Sequence, residues 1–328
     1  MGVGASRGED EKALEWFVAS STRCIARSSA RYIPRSLRFL RFVCDNAVPT
    51  CVLPANVWRK QETLTLLGIP PLLVEWVLPK GSEIPRQGAV ILYVHGGAYV
   101  LCNAGSHRGI TYSLCDNLSI PVCVPVYRRP PENPVPAMFE DVLAMYLHLS
   151  EMLGREADIK MVGDSAGGGI IAALLVQLRG STLPQPKCVA CVSPWIDLNE
   201  KLEPSFHVDF VLPDLANYFA ELVGTNDLRV SPLYDEGEKK DFPPIFVVYG
   251  EYENLRPQIE QFLSLWSSHG ACMSGHVVPN GMHVPILLSF CHAPARTAYF
   301  RLFEFIRSAG AEVGRPGDDV GDSRRITL

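Results

Sequence analysis

The residues best equipped for chemistry are a serine flanked by glycines and a histidine-led glycine pair upstream of it. Gly163-Asp164-Ser165-Ala166-Gly167 follows the short apolar run Ile159–Val162 and opens the helical pattern Ala166–Leu178. A G-x-S-x-G placed between a strand and a helix is a sharp elbow that exposes the serine hydroxyl, and its glycines leave room where a Cβ would meet neighbouring backbone. The helix start beneath it offers free N–H groups and the positive end of the helix dipole. Upstream, His95-Gly96-Gly97-Ala98 ends the apolar run Ala89–Val94. A Gly-Gly pair there lets backbone N–H groups come close to a reacting carbonyl. The N–H groups of Gly96, Gly97 and Ala98, with that of Ala166 after the serine, are the candidate oxyanion donors. Either motif alone also reads as a tight turn. Both together, in this order and each at a strand end, point to acyl transfer on Ser165.

Such a serine needs a fold that holds it rigid. Short Val/Ile-rich runs at 72–78, 89–94, 121–126, 159–162, 188–192, 245–249 and 275–278 read as strands buried on both faces. Helical patterns lie between them at 108–118, 136–153, 166–178, 254–269 and 293–308. This alternation predicts an α/β fold with a mostly parallel sheet covered on both sides. Residues 1–60 hold no clear strand, and 200–230 form an insertion with one helical pattern around Pro213–Val223. Both stretches carry exposed-looking aromatics (Trp16, Phe17, Phe206, Phe210, Tyr218 and Phe219) and are expected to decorate the sheet or to form a lid. The catalytic unit then comprises 61–199 and 231–309, and the polar, Gly-rich 310–328 is a flexible tail. Since the two motifs lie after Ala89, removing the N-terminal segment is expected to leave Ser165 reactive.

Composition narrows the function. Of 328 residues, 47% are hydrophobic and 20% charged, which is ordinary for a globular chain. The net charge of −5 argues against a nucleic-acid binder. Gly, Pro or Arg interrupts every apolar run before it reaches the roughly 18 residues a membrane span needs. The polar start MGVGASRGEDEK lacks the apolar centre of a secretory signal, so a cytoplasmic location is expected and the ten cysteines are read as free thiols. Cys188 and Cys191 have a metal-like spacing but sit in the apolar run CVACV with no second pair nearby, and read as two thiols on a strand. Six arginines and no acidic residue lie between Trp16 and Cys44. A basic face over Arg23–Arg41 could meet an anionic membrane surface, although a solvated face is the plainer reading. Met1-Gly2 with Ser6 fits a short myristoylation pattern, and a single acyl chain would anchor only marginally.

From Ala89 to Phe305 the chain resembles the hormone-sensitive-lipase-like esterases among the α/β-hydrolases. The resemblance rests on HGGAYV, YRRPPENPVPAMFED, GDSAGG, SPWIDL, RVSPLY, YGEYENLRP and PNGMH, in the family's order. It implies an eight-stranded sheet and a helical cap built from residues 1–60 and 200–230. It also implies a triad of Ser165, Glu253 and His283, with Glu253 where the family more often has Asp. Pro257 stands where a second acid is usual, and Val284-Pro285 follows the histidine in place of Gly-Phe. The residues support the same set. A serine hydroxyl needs an imidazole base and a carboxylate to fix the imidazole's tautomer, and the fold's order is Ser, acid, His. Glu251 is the competing acid, and His95 is read as shaping the oxyanion loop. Asp164, Arg128, Glu132 and Asp141 are read as one polar network bracing the elbow, and Cys102 as a small pocket-lining residue.

The expected activity is hydrolysis of a small or medium apolar carboxylic ester, such as an acetyl or acyl ester of a natural product. No metal and no organic cofactor is implied, the partner is the ester, and a homodimer is the candidate assembly. An amidase, a lactone-processing step, or dehydration or cyclisation on the same scaffold are the alternatives. A small-molecule receptor on this scaffold would have lost the triad, whereas Ser165 and His283 both persist here.

Overall fold

The structure, a computed structural model, describes residues 52–154, 157–202, 213–224 and 228–308, together with Arg41, Cys44, Asp45 and Asp209. Gly2, Arg23–Arg38, Trp16, Phe17, Phe206, Phe210 and the tail 310–328 lie outside the described residues.

Eight strands form one sheet: β1 (Val57–Leu64), β2 (Leu72–Pro79), β3 (Ala89–Val94), β4 (Val122–Pro125), β5 (Asp158–Asp164), β6 (Cys188–Val192), β7 (Ile245–Gly250) and β8 (Met273–Val278). Their spatial order is β1-β2-β4-β3-β5-β6-β7-β8. β2 runs antiparallel to both β1 and β4, and every pairing from β4 through β8 is parallel. The helices are α1 (Arg108–Leu118), α2 (Pro136–Leu153), α3 (Ala166–Leu178), α4 (Pro213–Val223), α5 (Arg256–Ser268) and α6 (Ala293–Arg307).

Alternate residues of each central strand feed opposite cores, as the two-residue strand period requires. Leu92, Val189, Cys191, Ile245 and Val247 face the side covered by α2, α3 and α5. Ile91, Tyr93, Ala190, Phe246 and Val248 face α1 and α6. With both faces covered, these strands are apolar along their whole length, which is why they are visible in the sequence. α3 packs beside the centre of the sheet and is buried nearly all round, consistent with its AGGGIIAALL sequence.

One expectation is corrected. β1 lies partly within residues 1–60 and crosses the expected boundary at 60/61. It is an edge strand carrying Arg59, Lys60, Gln61 and Glu62, largely exposed, so it shows no apolar run, and its charges discourage pairing with a second chain. A second correction concerns the insertion's aromatics: Phe219 on α4 is buried, not exposed.

Candidate active site

Because β3, β5, β7 and β8 are parallel, their carboxyl ends meet at one edge of the sheet, and the loops leaving them carry the candidate residues. Ser165 joins β5 to α3 at φ 50° and ψ −123°, a strained left-handed conformation. Its N–H donates to Val192 O at 2.8 Å, and its carbonyl accepts from Trp195 N at 2.9 Å. A Cβ on Gly167 would overlap the Val94 carbonyl, so α3 can approach β3 this closely only with glycine there.

The loop after β8 presents His283, flanked by Asn280 (φ 54°) and Val284 (φ 51°). His283 Nε2 lies 2.9 Å from Ser165 Oγ. Burial lowers the pKa of this imidazole, against the upward pull of the Asp209 and Asp164 charges, so the ring favours its neutral, proton-accepting form.

Glu253 follows β7 and is buried. Its Oε2 accepts from Ser193 Oγ at 2.5 Å and from Gly250 N at 2.9 Å. The same oxygen is 4.0 Å from His283 Nδ1, beyond hydrogen-bond reach. Burial pushes the Glu253 carboxyl well above the usual range, aided by the Asp209 charge and opposed by the Ser193 and Gly250 bonds. Glu251 is placed differently, on the outer side of the base loop, where its Oε2 accepts from Asn280 N at 2.9 Å. Of the two candidate acids, Glu253 is the one beside the imidazole.

In the loop after β3, the Gly96 N–H donates to Asp164 Oδ1 at 3.0 Å. That corrects the expected set of four oxyanion donors: the Gly96 N–H serves to anchor the loop. Those of Gly97, Ala98 and Ala166 meet no protein acceptor among the described residues. Gly97, Ala98 and Tyr99 take positive φ in succession (116°, 51° and 64°), which turns the loop sharply at the strand end.

Asp164 also accepts from Tyr93 Oη at 2.6 Å, and its Oδ2 is 3.1 Å from His107 Nε2. Burial would raise the pKa of this carboxyl, but His107 and Tyr93 together hold it below the usual range. His95 is buried and stacks on Tyr127 at 4.2 Å, with Nδ1 2.7 Å from Gly96 O. Burial and the nearby His107 lower its pKa to about 3, so it is a neutral packing element of the loop.

The expected single polar network is in fact three clusters. Asp164 belongs to the group just described. Arg128 pairs with Asp141 at the start of α2, with Nη2 to Oδ1 at 2.7 Å. Glu132 pairs with Arg41, whose Nε donates to Val100 O at 2.6 Å and whose Nη2 donates to Pro130 O. Arg41, the described end of the basic segment, therefore grips the oxyanion loop. Cys102 lies against Cys44, and that thiol contact and burial hold the Cys102 thiol well above its ordinary value, so it is no ready nucleophile. Burial likewise pushes Cys188 and Cys191 up to about 12. Among the described residues, no group of three or more His, Cys, Asp or Glu side chains is placed to hold a metal ion.

Three buried polar residues escape the sequence reading. Ser193 Oγ links Glu253 to the base loop by accepting from Val284 N at 3.0 Å. Gln258 Oε1 accepts from Ile196 N and Asp197 N, both at 3.1 Å. Asp209 accepts from the backbone of both the acid and base loops. Ser193 stands within the SPWIDL motif and Gln258 directly follows Pro257, so each has a motif beside it in the sequence; Asp209 has no local signal.

A hydroxyl 2.9 Å from an imidazole held toward its neutral form can be deprotonated for attack on a carbonyl. No described helix is long and apolar enough to cross a membrane. Residues 91–287 match the family model for the alpha/beta hydrolase fold. An acetyl-hydrolase of Streptomyces hygroscopicus is 35% identical over 213 residues, covering 60% of this chain and 69% of that protein. A carboxylesterase/phospholipase of Mycobacterium tuberculosis is 26% identical over 85% of this chain and 76% of its own. The crystal structure of an esterase from the bacterial hormone-sensitive lipase family superposes with a TM-score of 0.70 at 27% identity, covering 83% of this chain and 91% of that one. The chain belongs to the α/β-hydrolase family, among its hormone-sensitive-lipase-like esterases, and is a serine hydrolase of the carboxylesterase type.

Proposed function

We propose that the chain hydrolyses small or medium apolar carboxylic esters, acetyl esters foremost, through Ser165, His283 and Glu253. The observation that carries the reading is the 2.9 Å approach of His283 Nε2 to Ser165 Oγ at a strained elbow. Ser165 Oγ attacks the ester carbonyl as His283 takes its proton. The carbonyl oxygen gains negative charge within reach of the Gly97, Ala98 and Ala166 N–H groups. Collapse of the intermediate expels the alcohol, protonated by His283, and leaves an acyl-serine. Water, deprotonated by His283, then releases the acid by the same steps. Glu253 stands behind the imidazole, braced by Ser193 and Gly250; burial favours its neutral form at rest, and the imidazolium forming beside it draws out the carboxylate that balances the new charge.

Acetyl selectivity draws support from relatives named acetyl-hydrolase and ethyl acetate hydrolase. The test pairs a fluorophosphonate probe with p-nitrophenyl esters graded from acetyl to palmitoyl. Stoichiometric labelling that disappears in Ser165→Ala, with turnover greatest on the short esters, is expected. An unlabelled wild type would refute a working serine, and a preference for palmitate would refute the acyl size.

A further inference from the structure

Asp209, from the stretch between β6 and α4, reaches both catalytic loops. Its Oδ1 accepts from the N–H of His283 itself at 2.9 Å. Its Oδ2 accepts from the N–H of Asn254, the residue after Glu253, at 2.8 Å. The carboxylate is almost wholly buried, at 2% exposure. We propose that Asp209 is a positioning residue of the ester-hydrolysing site: its carboxylate clamps the acid loop to the base loop, and its negative charge supports the protonated imidazole that forms at His283 during acyl transfer.

The geometry of the neighbouring acid makes this support consequential. Glu253 Oε2 is 4.0 Å from His283 Nδ1, and that ring nitrogen has no hydrogen-bond partner among the described residues. Among the described residues, the charged and titratable groups around the imidazole are Glu253 after β7, Asp164 at the end of β5 with His107 behind it, and Asp209. Of the upward influences on His283, the Asp209 charge is the larger, ahead of Asp164. Two carboxylate oxygens facing two N–H donors also fix the clamp's chemistry. An amide in its place can accept only one of the bonds and turns its NH₂ toward the other donor.

The proposal rests on His283 being the base, and the experiment separates the two claims. On the full chain, Ser165 labelling by a small fluorophosphonate and the pH profile of kcat/KM on p-nitrophenyl acetate are measured for wild type, Asp209→Asn and Asp209→Glu. A wild type that resists labelling overturns the reading of the site and this proposal with it. Given a labelled wild type, Asp209→Asn should label about 10²-fold more slowly, the scale of a misplaced reacting group. The acid limb of its kcat/KM profile should also move to lower pH, since the imidazolium has lost a supporting charge. Asp209→Glu keeps the charge and both acceptors and should retain the wild-type acid limb. A residue that merely held the insertion in place would raise KM and leave the limb and the labelling rate unmoved in Asp209→Asn, and that result overturns the proposal. If Asp209→Asn does not fold, Asp209→Glu decides alone: a limb at the wild-type position supports the charge role, and one displaced to lower pH overturns it.

Discussion

Ser193→Ala is the most informative single change at this site, because one hydroxyl holds both halves of the catalytic pair. Ser193 Oγ donates to Glu253 Oε2 at 2.5 Å and accepts from Val284 N, next to His283, at 3.0 Å. The residue is completely buried, so no water replaces either bond. Losing a hydrogen bond to a buried carboxyl costs about 1.5–3 kcal/mol, and stranding the Val284 N–H adds about 1–3 kcal/mol. A loss of roughly 3–5 kcal/mol should lower Tm by about 6–10 °C in a domain of this size. Ser193 also sits at φ 48°, a left-handed conformation costing roughly 1–2 kcal/mol for a residue with a Cβ. Ser193→Gly should therefore melt a few degrees above Ser193→Ala. It should not regain activity, because the hydroxyl is absent from both. For each variant kcat on p-nitrophenyl acetate should fall about 10²-fold, as the acid and the base loop drift from the serine. Calorimetry and steady-state kinetics on the pair separate backbone strain from hydrogen bonding. A Ser193→Ala enzyme within threefold of wild-type kcat, or a Ser193→Gly enzyme that recovers activity with stability, would refute the role given to the hydroxyl.

Glu253→Gln should lower kcat about 10⁴-fold, while Glu251→Gln, whose side chain accepts from Asn280 N, should lower it less than tenfold; the reverse ranking would mean the acid is misassigned. Burial keeps His283 neutral below the ordinary histidine value of 6.5, so kcat/KM should stay level as pH falls through 6.5 and decline only further down. A pH profile with its acid midpoint above 6.5 would contradict this. Arg41→Met removes the bond to Val100 O and the pairing with Glu132, and should slow phosphonate labelling several-fold through a looser oxyanion loop. Labelling at the wild-type rate would show that the loop holds itself.

How much of this is legible in the sequence depends on whether a residue's partner is local. The parallel strands are visible because burial on both faces makes them continuously apolar, and α1, α2, α3 and α4 fall on the expected residues. Ser165 and the oxyanion loop are visible because each needs glycines at fixed offsets within one turn. β1 is not, since an exposed antiparallel edge demands little of its side chains. Glu253 and Glu251 cannot be ranked from composition alone, being two residues apart on one loop. What separates them is that one turns in toward Ser193 and the other out toward Asn280. Ser193 and Asp209 stay hidden for a related reason: their partners are distant in sequence, and a single serine or aspartate carries no periodicity to betray it.

The two segments with the least motif content nonetheless touch the catalytic machinery from opposite sides. Arg41 bonds the carbonyl of Val100 in the oxyanion loop, and Arg129 bridges Asp45 to the Cys102 carbonyl just beyond it. Asp209 bonds the backbone of the acid and base loops. A cap that only walled the pocket could be removed without altering the reactivity of Ser165, which is what the chain order of the motifs suggests. These contacts argue otherwise. Three successive residues of the oxyanion loop hold positive φ, two of them with a Cβ, a conformation that persists only when its surroundings over-determine it. Some of those surroundings are the Arg41 and Asp45 side chains. Sequence change around Arg41, Asp45 and Asp209 should therefore tune acyl transfer itself as well as the fit of the ester, through the shape of the loop after β3 and the spacing of Glu253 and His283.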